Sequence, residues 1–237
     1  MNLKDLIKLL EVKFPQIDSN EVESKITIYK NYLQQENKIH NLTRLDKEEE
    51  IYQKYFYESI LNFHNDLFDN KNINLLDIGS GSGVPGIFLK ILFPHINLYI
   101  VESNTKKVNF LNNLVNKLEL ENVFISNQRC EDYIKDKIEF FDLITCRAVA
   151  ELRILLELSF PGLKINGIGF FLKSNNYLVE LDNAKNISSK LKIEEEPKIE
   201  TIEYDGKTFV SLKYIKKNKV NNIFPRTWKE ILNNDKN

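Results

Sequence analysis

LLDIGSGSGVPG, running from Leu75 to Gly86, is the stretch that decides the fold. An apolar strand runs into Gly79, Ser80, Gly81 and Gly83, and a helix is expected to open near Val84 or Pro85, where proline suits a first helical turn. Glycine recurs at such a junction because a Cβ would block the sharp turn and hold a ligand away from the backbone. Gly81, Gly83 and Gly86 also satisfy G-x-G-x-x-G, a spacing shared by many nucleotide-binding loops and weak on its own.

Beyond Ile73, short apolar runs alternate with amphipathic ones. NLYIVES, TKKVNFLNNLVNKL and NVFISNQ are followed by FFDLITCRA, ELRILLELSF and GIGFFLKS. Strands that alternate with helices of ten to fifteen residues predict an α/β fold, a mostly parallel, doubly wound sheet covered on both faces, across 71–217. Two late strands, KIEEEPKIETIEY and TFVSLKYI, are expected to add an antiparallel C-terminal edge hairpin. Before the sheet no glycine occurs. Leu3, Leu6, Ile7, Leu10 and Phe14 share one helical face, Val22, Ile26, Tyr29 and Leu33 another, and Ile51, Tyr55, Tyr57 and Leu61 a third, so 1–70 reads as an N-terminal helical cap. Residues 218–237 read as a basic C-terminal tail.

Charge is nearly balanced, 33 Lys plus Arg against 34 Asp plus Glu, so overall electrostatics do not announce a nucleic-acid binder. Between Lys207 and Glu230, however, lie Lys213, Lys216, Lys217, Lys219, Arg226 and Lys229 with no acid among them. This run is expected to be a solvated edge, with Lys216 available to polyanions. Two cysteines, Cys130 and Cys146, are too few for a disulfide framework and read as packing residues of a cytoplasmic protein. The amino end lacks a signal-peptide pattern, no apolar run is long enough for a membrane span, and no metal-ligand spacing occurs. Only five basic residues are arginine, Arg44, Arg129, Arg147, Arg153 and Arg226, which singles these out as positions where a planar fork matters. Arg153 is expected at the surface.

The second strand ends at Glu102 and Ser103, about twenty residues past the glycines, where a carboxylate accepts both hydroxyls of an adenosine ribose. Later strand ends are expected to bring Cys130 with Glu131, Cys146 with Arg147, and Lys173 with Ser174 to the same edge, where ligands of open α/β sheets bind. A nucleoside cofactor lying across strands one to three follows. Asp77 ahead of G-x-G-x-G resembles the first motif of the Rossmann-like methyltransferases more than a dehydrogenase loop, which favours S-adenosylmethionine over NAD.

The likeness extends further. VESNTKKVNFL from Val101, QRCED from Gln128, CRAVAEL from Cys146, NLTR at Asn41–Arg44 and FPR ending at Arg226 together resemble the bacterial small-subunit ribosomal RNA guanine-N7 methyltransferases, the glucose-inhibited division protein B family. The resemblance covers about Lys38 to Arg226. It implies a methyltransferase fold behind a helical cap, methylation of a guanine N7 in 16S ribosomal RNA, and the small ribosomal subunit as partner. It also implies cofactor contacts at Gly79, Val84, Cys130 with Glu131, and Arg147, with Glu102 as the ribose acid. Lys106, Arg147 and Arg226 match basic positions around the reaction site. Two stretches depart from the family. YFYES at Tyr55–Ser59 stands where many relatives read HFLDS, and the ending after FPR is TWKEILNNDKN instead of a Gly- and Pro-rich basic one.

Guanine N7 carries a lone pair and needs no deprotonation, so no general base is expected from His40, His64 or His95. Arg147 and Lys106 are the expected catalytic residues, Arg147 fixing the donor carboxylate or a phosphate, while Lys106, Arg129 and Arg226 engage RNA phosphates. A monomer is favoured. The rival readings are a methyltransferase of protein or small molecules, an NAD-dependent oxidoreductase, and a noncatalytic RNA-binding assembly factor; cofactor binding and the class of molecule methylated separate them.

Overall fold

Asn2 and Asp18 open the first two helices with their own side chains. In α1 (Leu3–Lys13) Asn2 accepts from the Asp5 amide while Asp5 reaches back to the Asn2 amide, and in α2 (Ser19–His40) Asp18 accepts from the amides of Asn20 and Glu21. Helix α2 stops at Asn41, held in the left-handed region at φ 49°. Asn37 and Thr43 then accept from the amides of Thr43 and Leu45, so the NLTR segment is a helix ending that turns the chain. Next, α3 (Glu48–Glu50), a π-helical stretch Ile51–Tyr57 and α4 (Glu58–Ile60) run on as one rod.

The structure, a computed structural model, describes residues 1–69 and 72–233. The expected boundary between cap and sheet at residues 70 and 71, and the last four residues of the expected tail, lie outside the described residues.

The sheet region follows as β1 (Asn74–Ile78), α5 (Gly86–Leu92), β2 (Asn97–Val101), α6 (Thr105–Lys117), β3 (Val123–Ser126), α7 (Cys130–Lys135), β4 (Phe141–Arg147), α8 (Leu152–Ser159), β5 (Leu163–Lys173), α9 (Tyr177–Lys190), β6 (Lys198–Tyr204), β7 (Lys207–Ile215) and α10 (Trp228–Leu232). Strand order is β3-β2-β1-β4-β5-β7-β6. The first five strands are parallel, and β7 runs antiparallel between β5 and β6. The expected hairpin therefore has β6 as its edge strand. The chain opens α7 with Cys130 and Glu131, four residues beyond the end of β3, instead of ending a strand there.

Alternation along the central strands divides the interior in two. Leu75, Leu143 and Phe170 face one layer, and Leu76, Ile144 and Phe171 the other. The first layer also contains Leu6, Phe14, Tyr29, Phe56 and Phe63, so the N-terminal helices share a core with α5, α6 and the sheet. Phe63 meets Phe170 with ring centroids 4.7 Å apart, and Phe68 stacks on Phe93 at 4.1 Å. The second layer takes in Phe224 and Ile231, which ties the C-terminal segment down.

Two surface expectations are corrected by this packing. Lys216 is 1% exposed, donates to the Leu163 carbonyl at 2.7 Å and lies 3.6 Å from Glu139; burial lowers its pKa. It crosslinks the fold and is not a solvated contact. Arg153 donates to the Ile231 carbonyl at 3.0 Å, holding α10 against α8.

Candidate cofactor cleft and acceptor cavity

Gly79 and Gly81 turn the chain out of β1 in the left-handed region, at φ 65° and 63°. The Gly81 amide donates to Glu102 Oε2 at 3.1 Å, and the Asn104 amide donates to Oε1 of the same carboxylate at 2.9 Å. Glu102, at the end of β2, thus pins the loops that follow two neighbouring strands. A carboxylate has about four lone-pair sites, so acceptor capacity remains. It borders a cleft of about 330 Å³, within the range of roughly 300 to 1,000 Å³ usual for small-molecule sites.

The cleft has apolar walls at Ile78, Val101, Cys130 and Leu158, and Ser103, Lys107, Gln128, Arg129, Glu131 and Trp228 complete much of its rim. Glu131 is buried. Above Gly81 a Cβ would meet nothing nearer than the Gly79 carbonyl oxygen at 4.0 Å, so its φ and not crowding calls for glycine. The remaining acceptor sites of Glu102 suit a vicinal diol and the walls suit a purine ring, so the residues present fit a nucleoside.

Gly79 and Gly83 keep the positive φ that the expected turn requires, 65° and 111°, and packing adds a second cause at these positions and at Gly86. A Cβ at Gly83 would sit 2.3 Å from the Tyr29 hydroxyl, one at Gly86 2.6 Å from Asp77 Oδ2, and one at Gly79 2.8 Å from Val149 Cγ2. What presses on these three positions is the protein itself. Tyr29 donates to the Ser82 carbonyl at 2.6 Å, and the Tyr55 hydroxyl lies 2.7 Å from both the carbonyl and the side-chain oxygen of Ser82. Burial pushes the Tyr55 hydroxyl up to about 12, which keeps it a donor. Beneath the loop, Asp77 Oδ2 accepts from the Gly86 amide at 2.9 Å, while Asp77 Oδ1 and Ser80 Oγ have no partner among the described residues. Desolvation pushes the Asp77 carboxyl up to about 7.

Residues 148–150, after β4, separate this cleft from a second cavity of about 350 Å³, and Ala148 and Ala150 line both. Lys173 braces the segment by donating to the Ala150 carbonyl at 3.0 Å while pairing with Glu180. Arg147 lines the second cavity, not the cleft. It donates to the carbonyls of Tyr55 and Lys54 at 3.4 and 3.1 Å, so its fork holds the π-helical stretch to β4, and burial lowers its pKa. Glu58, Asn62, Ser174 and Thr208 also face this space, Glu58 paired with Lys207 at 3.1 Å.

Of the residues expected at the site, Gly79, Glu102, Ser103, Arg129, Cys130 and Glu131 meet on the cleft. Ser80, Gly81, Gly83 and Val84 form the loop behind it, and Gly83 is packed under Tyr29. Lys106 is exposed in the first turn of α6 and lines neither space. The Arg226 fork closes on Glu157 through Nε at 2.7 Å and Nη2 at 2.6 Å, and Arg129 sits over the Trp228 ring at 5.4 Å. Lys107 and Trp228 were not singled out. Lys107 was legible as the lysine one turn before buried Phe110 and Leu111, whereas Lys106 shares its face with exposed Asn109 and Asn113. Threonine three residues before Glu230 is a capping-box signature that places Trp228 at a helix start. None of the three histidines lines either space; His64 pairs with Glu200, and His95 donates to the Phe68 carbonyl.

This strand order, with a carboxylate closing on a glycine-rich loop at the carboxyl edge, defines a Rossmann-like S-adenosylmethionine-dependent methyltransferase. The same fold is seen in TYW2 of M. jannaschii, solved in complex with AdoMet, at TM-score 0.54 and 17% identity over 68% of this chain and 77% of that one. It is seen again in a putative S-adenosyl-L-methionine-dependent methyltransferase of Methanococcus maripaludis, at TM-score 0.51 and 13% identity over 81% of this chain and 93% of that one. The chain belongs to the rRNA small subunit methyltransferase G family, whose model matches residues 22–203. It is 40% identical to ribosomal RNA small subunit methyltransferase G of Ureaplasma parvum serovar 3 over 98% of both chains. The Mycoplasma capricolum protein of the same name is also 40% identical, over 92% of this chain and 93% of its own.

Proposed function

We propose that the cleft holds S-adenosylmethionine and that the cavity beside it receives a guanine of 16S ribosomal RNA for methylation at N7. The observation that carries this reading is the Glu102 carboxylate, clasped to Gly81 and bordering a nucleoside-sized cleft, in a chain of the rRNA small subunit methyltransferase G family. When bound, S-adenosylmethionine supplies a sulfonium methyl: the N7 lone pair forms the new N–C bond while the C–S bond breaks and its electrons stay on sulfur.

No proton must leave N7 before attack, which agrees with two spaces lined by no histidine among the described residues. The chain's task is then alignment, and holding two reactants in an attack geometry supplies on the order of 7 to 11 kcal/mol. Glu102 would hold and orient the cofactor's sugar, with Gly79, Ser103, Cys130 and Glu131 lining the same cleft. The braced segment at 148–150 borders both spaces and would separate the bound donor from the acceptor. Arg147 organises the acceptor side by tying the π-helical stretch to β4. Lys106, exposed on α6, meets RNA phosphate, whereas Arg226 is committed to Glu157.

Transfer of a tritiated methyl group to unmodified small subunits, naked ribosomal RNA and total protein tests the reading. Label in RNA is expected, at a nucleotide located by cleavage at N7-methylguanine and reverse transcription. Label confined to protein, or labelled RNA that resists this cleavage, overturns it.

A further inference from the structure

The C-terminal segment lies beyond the matched family region, which ends at residue 203, yet it completes the cleft. Four contacts fix it. The Arg226 fork grips Glu157, which is 1% exposed on α8; Thr227 and Glu230 cap α10 reciprocally; Ile231 is buried; and Arg153 of α8 donates to the Ile231 carbonyl. This clamp sets Trp228 on the rim of the cleft, with the Arg129 guanidinium over its ring at 5.4 Å. It is the protein's only tryptophan.

Strand order says which part of a nucleoside would meet it. If the ribose lies on Glu102 at the end of β2, the rest of the ligand extends two ways along the sheet edge. One way leads across β1 to Gly79 and the 148–150 segment, beside the acceptor cavity; the other leads toward β3, where residues 128–131 and Trp228 stand. The reacting end must take the first route, so the base takes the second. We propose that Trp228, set by the C-terminal clamp and backed by Arg129, is the aromatic wall against which the adenine of the cofactor packs. This rests on the cofactor reading above. An indole face and a purine stack favourably, and removing such a ring weakens binding by about 5- to 150-fold.

Titration of the full-length protein with S-adenosylhomocysteine, followed by heat and by tryptophan emission, tests it, since the emission comes from one residue. Emission is expected to change and to saturate with the heat. Trp228→Ala is expected to lower affinity by about 5- to 150-fold, by a similar factor for adenosine alone, with Trp228→Phe retaining most of it. Heat without any emission change, unaltered affinity in Trp228→Ala, or a loss seen for S-adenosylhomocysteine but not adenosine overturns the proposal while the cofactor reading stands. Absence of both heat and emission change in the unmodified protein, at two temperatures, overturns both. Should Trp228→Ala fail to fold, the emission titration and Trp228→Phe still decide.

Discussion

Asp77 is a carboxyl sealed beneath the loop that its own strand feeds. With its pKa pushed from 3.8 to about 7 by desolvation, the folded chain keeps a proton that the unfolded chain releases. The resulting stability is fully present below pH 4 and is lost as pH rises through 7, by about 4 kcal/mol for a shift of three units. Urea unfolding of wild type and Asp77→Asn between pH 4 and 8 is expected to show the variant gaining on wild type as pH rises; parallel profiles would refute it. Arg226→Ala strands Glu157 in the interior, and a loss of about 3 kcal/mol is expected from the same unfolding measurement. Glu102 was legible because its carboxylate ends a strand at a fixed distance from the glycines. The partner of Arg226 was not, since Glu157 lies 69 positions away and nothing local joins them.

Among the elements, the glycine-rich turn and the π-helical stretch are fastened to each other through Tyr29, Tyr55 and Ser82. Replacing Tyr29 by Phe removes one buried donor and leaves the Ser82 carbonyl to Tyr55 alone. A loss of about 1 to 2 kcal/mol is expected, with faster hydrogen exchange at Gly81 and Gly83; unchanged exchange would disconnect the helices from the loop. Apolar spacing announced α1, α2 and every parallel strand, because each turns at least one apolar face to the interior, fully in the central strands and partly in β3 at the edge. It did not announce the π-helical form of Ile51–Tyr57, which changes hydrogen bonding without changing which residues are apolar. Nor did it show that distant Tyr29 is what Gly83 makes room for, or that Asp77, nine positions before Gly86, folds back beneath it.

At the scale of the molecule, a ligand that binds only the folded state adds about 2.7 kcal/mol at a hundred times its dissociation constant. For a chain of this size S-adenosylhomocysteine is expected to raise Tm by roughly 5 to 10 °C, NAD to leave it unchanged, and Glu102→Gln to remove most of the shift. A scan in which only NAD stabilises would reverse the cofactor assignment. The parallel sheet was legible from alternation alone, whereas the joining of cap and sheet was not, because a sequence pattern shows that a face is apolar without showing what covers it. That joining bears on synthesis. Phe63 finds Phe170 only after about a hundred more residues have been translated. Until then Phe88, Phe93 and Phe110 already cover much of the nascent helices, while the patch around Phe63 still lacks its partner from the sheet, so a ribosome stalled before β5 is expected to leave that patch bare and prone to self-association.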